Sequence, residues 1–115
     1  MRLRSTVAAA LGALALIVAV PSSASAASGE FSYRYTALDG SPQVGFLFDP
    51  PSRVCITLPE VADPSSSNPA HTPWNLTDAS ATVFTDVDCE GDYFTLRPHG
   101  GHASSRLKLR SVVFS

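Results

Sequence analysis

Cys55 and Cys89 are the two cysteines of the 115-residue chain and its most reactive pair of side chains. In an oxidising compartment two thiols are most simply a disulfide. The bridge would close a loop of about 35 residues, worth about 3–4 kcal/mol through the entropy it removes from the unfolded chain. A reactive thiol nucleophile is the rival reading, and the even cysteine count argues against it. Asp86-x-Asp88-x-Glu90-Gly91 matches the first half of a calcium-binding EF-hand loop. The position that needs a bidentate Glu holds Arg97 instead, so the segment reads as a solvated acidic hairpin. His99 and His102 frame two glycines. Two imidazoles fall short of the three or four ligands that zinc requires, so no metal and no cofactor is expected. Serines are plentiful, but no strand-turn-helix setting orients one against a His–Asp pair, so the chain does not read as an enzyme.

Two other groups are candidates for binding. Trp74 is the single tryptophan and follows Pro73. It reads as a core anchor closing a long loop; were it exposed, it would be the best candidate for a binding hot spot. Arg106, Lys108 and Arg110 alternate with Leu107 and Leu109. That period of two gives one basic and one apolar face, as on an edge strand protected from aggregation or a strip that meets an acidic partner.

The elements that must hold these residues are strands. Phe31, Tyr33 and Tyr35 alternate with polar residues and predict a strand with one aromatic face. Asp39-Gly40-Ser41-Pro42 and Asp49-Pro50-Pro51-Ser52 are turn chemistry. Between and after them lie extended runs at 44–48 and 53–58, so residues 31–58 read as an antiparallel meander. Residues 59–73 carry four prolines and three consecutive serines and read as a long exposed loop, a mobile connector or a functional one. Further strands are predicted at 79–84, 93–97 and 106–110, and the chain closes on an apolar run, Val112 to Phe114. Nothing after residue 27 has helical period, so the sheets should be antiparallel.

The N-terminus reads as an export signal over residues 1–26. Arg2 and Arg4 precede an apolar run of about 14 residues, short of the ~20 that span a bilayer. Ala24 and Ala26 suit the small-residue pocket of signal peptidase. Residues 27–115 would then form one secreted domain of modest core that needs a staple. Its six cations against ten carboxylates give a net charge of −4. An acidic domain is a poor ligand for nucleic acid or anionic membrane.

Residues 83–96 read Val-Phe-Thr-Asp-Val-Asp-Cys-Glu-Gly-Asp-Tyr-Phe-Thr-Leu. Phe84, six intervening residues, Gly91 and then Ser111 about twenty residues on resemble the Greek-key motif of the β/γ-crystallin superfamily. The resemblance covers residues 81–114. It implies a small antiparallel Greek-key β-sandwich in which Phe84 packs over a folded hairpin, Gly91 takes a conformation closed to other residues and Ser111 bonds back to the hairpin. Cys89 stands where that family usually has a second aromatic, so the disulfide would replace a packing contact. The family's calcium signature, aligned on Ser111, puts Arg106, Leu107 and Arg110 at ligand positions, where cations repel Ca²⁺. The mature chain is also similar to small secreted actinobacterial proteins, and this fold class includes secreted metalloproteinase inhibitors. The expectation is a monomeric, non-enzymatic extracellular binding or structural protein, with protease inhibition through loop 59–73 as the alternative.

Overall fold

The computed structural model describes residues 26–115; the expected export signal lies outside the described residues, apart from Ala26. The described chain is all-β. Its strands are β1 (Glu30–Thr36), β2 (Pro42–Phe48), β3 (Ile56–Thr57), β4 (Ala70–Asn75), β5 (Ala81–Phe84), β6 (Tyr93–Leu96), β7 (Gly101–His102), β8 (Lys108–Leu109) and β9 (Ser111–Phe114). The only helical elements among these residues are single 3-10 turns at Pro59–Val61 and Val87–Cys89.

Two antiparallel sheets result. The first runs β2-β1-β4-β7, with β8 also paired to β4; the second runs β3-β9-β5-β6. Divided after β4, the chain shows the same plan twice. In each half the first strand is flanked by the second and the last, giving β2-β1-β4 and β6-β5-β9. The third strand of each half lies in the other half's sheet: β3 beside β9, and β7 and β8 beside β4. The expected meander over 31–58 is therefore corrected after β2. The chain leaves the first sheet at the Asp49–Arg53 turn, where Asp49 and Arg53 both take positive φ, and β3 pairs with the C-terminal strand instead.

Alternation explains the core. Phe31 and Tyr33 from β1, Val83 from β5, Leu109 from β8 and Val112 and Phe114 from β9 point inward and are fully buried. Phe31 meets Phe114 edge-on across the sheets at 5.4 Å between centroids. Burying such side chains contributes about 1.5–3 kcal/mol each. Gly45 is required by this packing: a Cβ there would sit 2.5 Å from Cζ of the Tyr33 ring. With that space open, Tyr33 donates its hydroxyl hydrogen bond to Glu60 Oε1 at 2.7 Å.

Two expected elements change. Residues 59–73 are not one exposed loop. Leu58 and Val61 are core residues, and the last four residues of the span, Ala70–Pro73, belong to β4. The prolines are accommodated because Pro69 precedes the strand and Thr72 carries a positive φ of 53°, in the stretch where the β1–β4 register shifts. The strand expected over 106–110 is also cut short. Only Lys108 and Leu109 lie in the first sheet, and the chain passes into the second sheet through Arg110.

Candidate functional site

The folded corner lies in the second sheet. Phe84 of β5 faces outward, half-buried, with its ring 6.1 Å from that of Tyr93. Residues 85–92 then fold over the outer face and cover Ser111. Ser111 Oγ donates to Asp86 O at 2.5 Å and accepts from Cys89 N–H at 2.8 Å. Gly91 closes the corner at φ +86°, where a Cβ would lie 2.8 Å from Asp86 Oδ2. Phe84, Gly91 and Ser111 are thus brought together.

The Cys55–Cys89 disulfide forms, with Cα atoms 6.0 Å apart. It does not bridge the two layers. Cys55 leads into β3, which belongs to the same sheet as the corner, so the bond ties the strand contributed by the first half to the second half's hairpin. Thr57 Oγ1 adds a bond from Asp88 N–H at 3.1 Å. Asp86, Asp88, Glu90 and Asp92 are all exposed, and among the described residues no group of three His, Cys, Asp or Glu is arranged to hold a metal.

The basic strip is broken up. Arg106 and Lys108 are exposed, and Lys108 Nζ donates to Ser105 O at 2.7 Å. Arg110 is buried at 8 % exposure. Its guanidinium donates to Val61 O at 2.9 Å, Ser67 Oγ at 3.1 Å and Ser67 O at 2.8 Å. The alternation of 106, 108 and 110 is continuous in sequence, but the change of sheet at 110 turns its side chain inward, under the 62–67 loop. That loop is a closed turn: Ser66 and Ser67 N–H both donate to Asp63 O, and Ser65 N–H and Oγ donate to Asp63 Oδ1. These Ser65 bonds hold the Asp63 carboxyl below the usual carboxylate range.

Trp74 is not a core anchor. Its side chain is 49 % exposed on the outer face of the first sheet, because its strand neighbours Pro73 and Asn75 take the buried positions. Strand register places four residues in one row across that face: Phe46, Ser32, Trp74 and His102. The His102 ring lies 5.3 Å from Trp74 at 37°. Its Nδ1 is 2.9 Å from Gly100 O; a carbonyl only accepts, so Nδ1 carries the proton of this bond. Phe46 stacks on Phe48 at 5.6 Å and 14°, and both are about half exposed or more. Ser32, small and half-buried, lies between Phe46 and Trp74 in this row.

Beneath this face a polar network fixes the loop that presents His102. Asn75 is fully buried. Its Nδ2 donates to Ala79 O at 2.7 Å and Arg97 O at 3.1 Å, and its Oδ1 accepts from Thr77 Oγ1 at 2.7 Å. Gly100 N–H donates to Asn75 O and His99 N–H to Thr77 O. Asn75 and Thr77 are absent from the sequence reading. Two short polar side chains two apart, next to the single tryptophan, are the signal that marks them, because such residues bond to nearby backbone. His71, on the same strand as Trp74, bonds Thr72 Oγ1 at 2.7 Å. Burial first, then the positive charges of Lys108 and Arg34, push its pKa down.

His99 and His102 are both exposed, and no hydroxyl or thiol among the described residues hydrogen-bonds to either ring. His102 borders a shallow cleft of about 190 Å³ with Phe94, Thr95 and Arg97. Around His99 and His102 the arrangement offers stacking and hydrogen-bonding surface. No family model, curated protein or solved structure matches this chain.

Proposed function

We propose that the mature chain is a secreted, non-enzymatic binding protein on a Greek-key sandwich of β/γ-crystallin type, and that it engages its partner through the outer face of the first sheet. One observation carries this: the single tryptophan, flanked by His102 and in register with Phe46 across Ser32, is half exposed on a strand. Tryptophan is among the residues most enriched at interface hot spots. The fold-class part of the reading is supported by the strand exchange between halves and by the Ser111 tie at the Gly91 corner. The disulfide is compatible with an extracellular location. In the test, immobilised mature protein and its Trp74→Ala variant are exposed in parallel to culture supernatant. A partner retained by the first and lost by the second supports the reading. Equal retention by both removes the face from consideration.

A second reading, protease inhibition by loop 59–73, is favoured by one contact set. The three bonds from buried Arg110 stiffen the loop base and would lower the entropy lost on entering a protease cleft. The closed turn at Asp63 weighs against a substrate-like, extended tip. Inhibition predicts stoichiometric loss of activity of a secreted metalloprotease; full activity at excess protein rejects it.

A further inference from the structure

The four sheet edges among the described residues are treated unequally. β3 has two residues and is followed by Pro59; β6 has four; the edge on β4 is split between the two-residue strands β7 and β8. Short or interrupted edges are how natural proteins prevent strand addition. β2 is the exception. It has seven residues, Pro42–Phe48, no charged side chain and no shift in its register with β1, and no described residue is paired to its outer side.

The ladder shows which of its groups are free. Asp49 N–H donates to Gly29 O and Ala37 N–H to Ser41 O. Antiparallel pairs alternate between bonded and non-bonded, so Gln43, Gly45 and Leu47 direct their backbone groups at β1. Val44, Phe46 and Phe48 direct theirs outward. The Leu76 N–H bond to Glu30 O on the far side of β1 fits the same phase. The open edge therefore offers three N–H and three C=O groups on residues whose side chains are 48 %, 47 % and 68 % exposed.

We infer that this edge pairs with the β2 of a second copy, antiparallel, about a two-fold axis at Phe46. Val44 then faces the partner copy's residue 48, Phe46 faces its counterpart, and Phe48 faces residue 44. Three pairs that each exchange two bonds give about six hydrogen bonds between copies. Pro42 and Pro50 bound the ladder at both ends. The register is complementary in charge as well. Glu30 sits beside Phe48 and Arg34 beside Val44, so each of the two outer rows across the joint begins with a carboxylate on one copy and ends with a guanidinium on the other, while the central row runs from Ser32 to Ser32. An isologous contact of this kind closes on itself and leaves no further edge of the same type. It also joins the two Trp74 rows into one face, but the edge argument does not rest on the partner reading above, which Trp74→Ala tests separately.

Sedimentation of the mature protein across a concentration series should show monomer and dimer only, with dimer dominant well below about 1 mM. Amide exchange at Val44, Phe46 and Phe48 should slow as the dimer fills. Val44→Pro leaves the β1 ladder intact and removes two of the about six bonds, and should weaken dimerisation at least about fivefold. Phe46→Lys sets two like charges across the axis and should weaken it at least about tenfold. Phe94→Lys, on the β6 edge, should change nothing. A monomer at about 1 mM, a dimer indifferent to both β2 variants, or equal loss with Phe94→Lys would overturn the inference.

Discussion

The β1–β2 and β5–β6 hairpins occupy the same place in their two sheets and are stabilised in opposite ways. The first has seven paired positions and ends in a compact turn, in which Ser41 N–H and Oγ bond Asp39 Oδ1 and Gly40 N–H bonds Ala37 O. Its turn is held by its own residues. The second has four paired positions and a corner of eight residues. That corner has bonds of its own, Thr85 N–H to Asp92 O, Asp86 N–H to Glu90 O, Glu90 N–H to Val87 O and Asp92 N–H to Thr85 Oγ1, and is tied in addition from elsewhere in the chain, by Ser111, Thr57 and the disulfide from Cys55. A long ladder and a set of tertiary ties are alternative sources of order. The consequence is a difference between the two hairpins: the β5–β6 corner takes tertiary ties, and the β1–β2 hairpin keeps a long edge open.

The largest expected break of this contrast is the loss of the disulfide. Cys55→Ala with Cys89→Ala should lower unfolding free energy by about 3–4 kcal/mol in urea titrations. Amide exchange in the 85–92 corner should rise more than in the 37–41 turn. Arg110→Ala should come next, at about 2–3 kcal/mol, because it leaves Val61 O and Ser67 O without their charged donor. Chemical denaturation of the purified variant measures it. Ser111→Ala should cost about 1–3 kcal/mol, since Cys89 N–H and Asp86 O lose a buried partner. Ser41→Ala, its counterpart in the exposed turn, should stay within about 0.5 kcal/mol.

The glycines sharpen the comparison further. Gly40 and Gly91 have nearly equal φ, +88° and +86°, but a Cβ at 40 meets nothing within 4 Å while one at 91 meets Thr85 and Asp86. Gly40→Ala should cost only the backbone term of about 1–2 kcal/mol, and Gly91→Ala measurably more. Equal costs in thermal melts would show that the corner is not tightly packed.

Stability also depends on pH. His71 has its folded pKa pushed below the ordinary 6.5, first by burial and then by Lys108 and Arg34. The unfolded chain therefore takes up the proton more readily, and stability falls as pH drops through about 6.5 and below. Tyr33 shifts the other way. Burial first, then its bond to Glu60, raises its pKa, so above about pH 10 the unfolded phenol ionises before the folded one and stability falls again. His71→Gln should flatten the acid limb alone when stability is followed against pH.

Much of this was legible from local pattern. Phe31, Tyr33 and Tyr35 alternate because one face of β1 is core, and Cys55 and Cys89 pair as two cysteines should. The Gly91 corner and its Ser111 tie are expected from the resemblance carried by Phe84, Gly91 and Ser111 and not from local pattern, although a positive φ at Gly91 and a buried hydroxyl with two partners are consistent with it. What the chain conceals is where it changes sheet. Arg110 continues the alternation of Arg106 and Lys108 but lies at the crossing, so its face is set by tertiary path and not by period. β3 reads as a meander strand because its true partner, β9, is 50-odd residues away. β4 reads as loop because Pro69 and Pro73 mask a strand that tolerates both, and with the strand hidden Trp74 could not be assigned to the outer face. The aromatic row needs the register of β2, β1, β4 and β7 together, which no short window holds.

Because Trp74 is the only tryptophan, its fluorescence reports the open face directly. Acrylamide quenching of the native, oxidised protein should proceed at a rate approaching that of the urea-unfolded chain, and Ser32→Trp, placed between Phe46 and Trp74, should add a second quenchable emitter without loss of fold. A native protein whose tryptophan is shielded from acrylamide as a core residue would contradict the account.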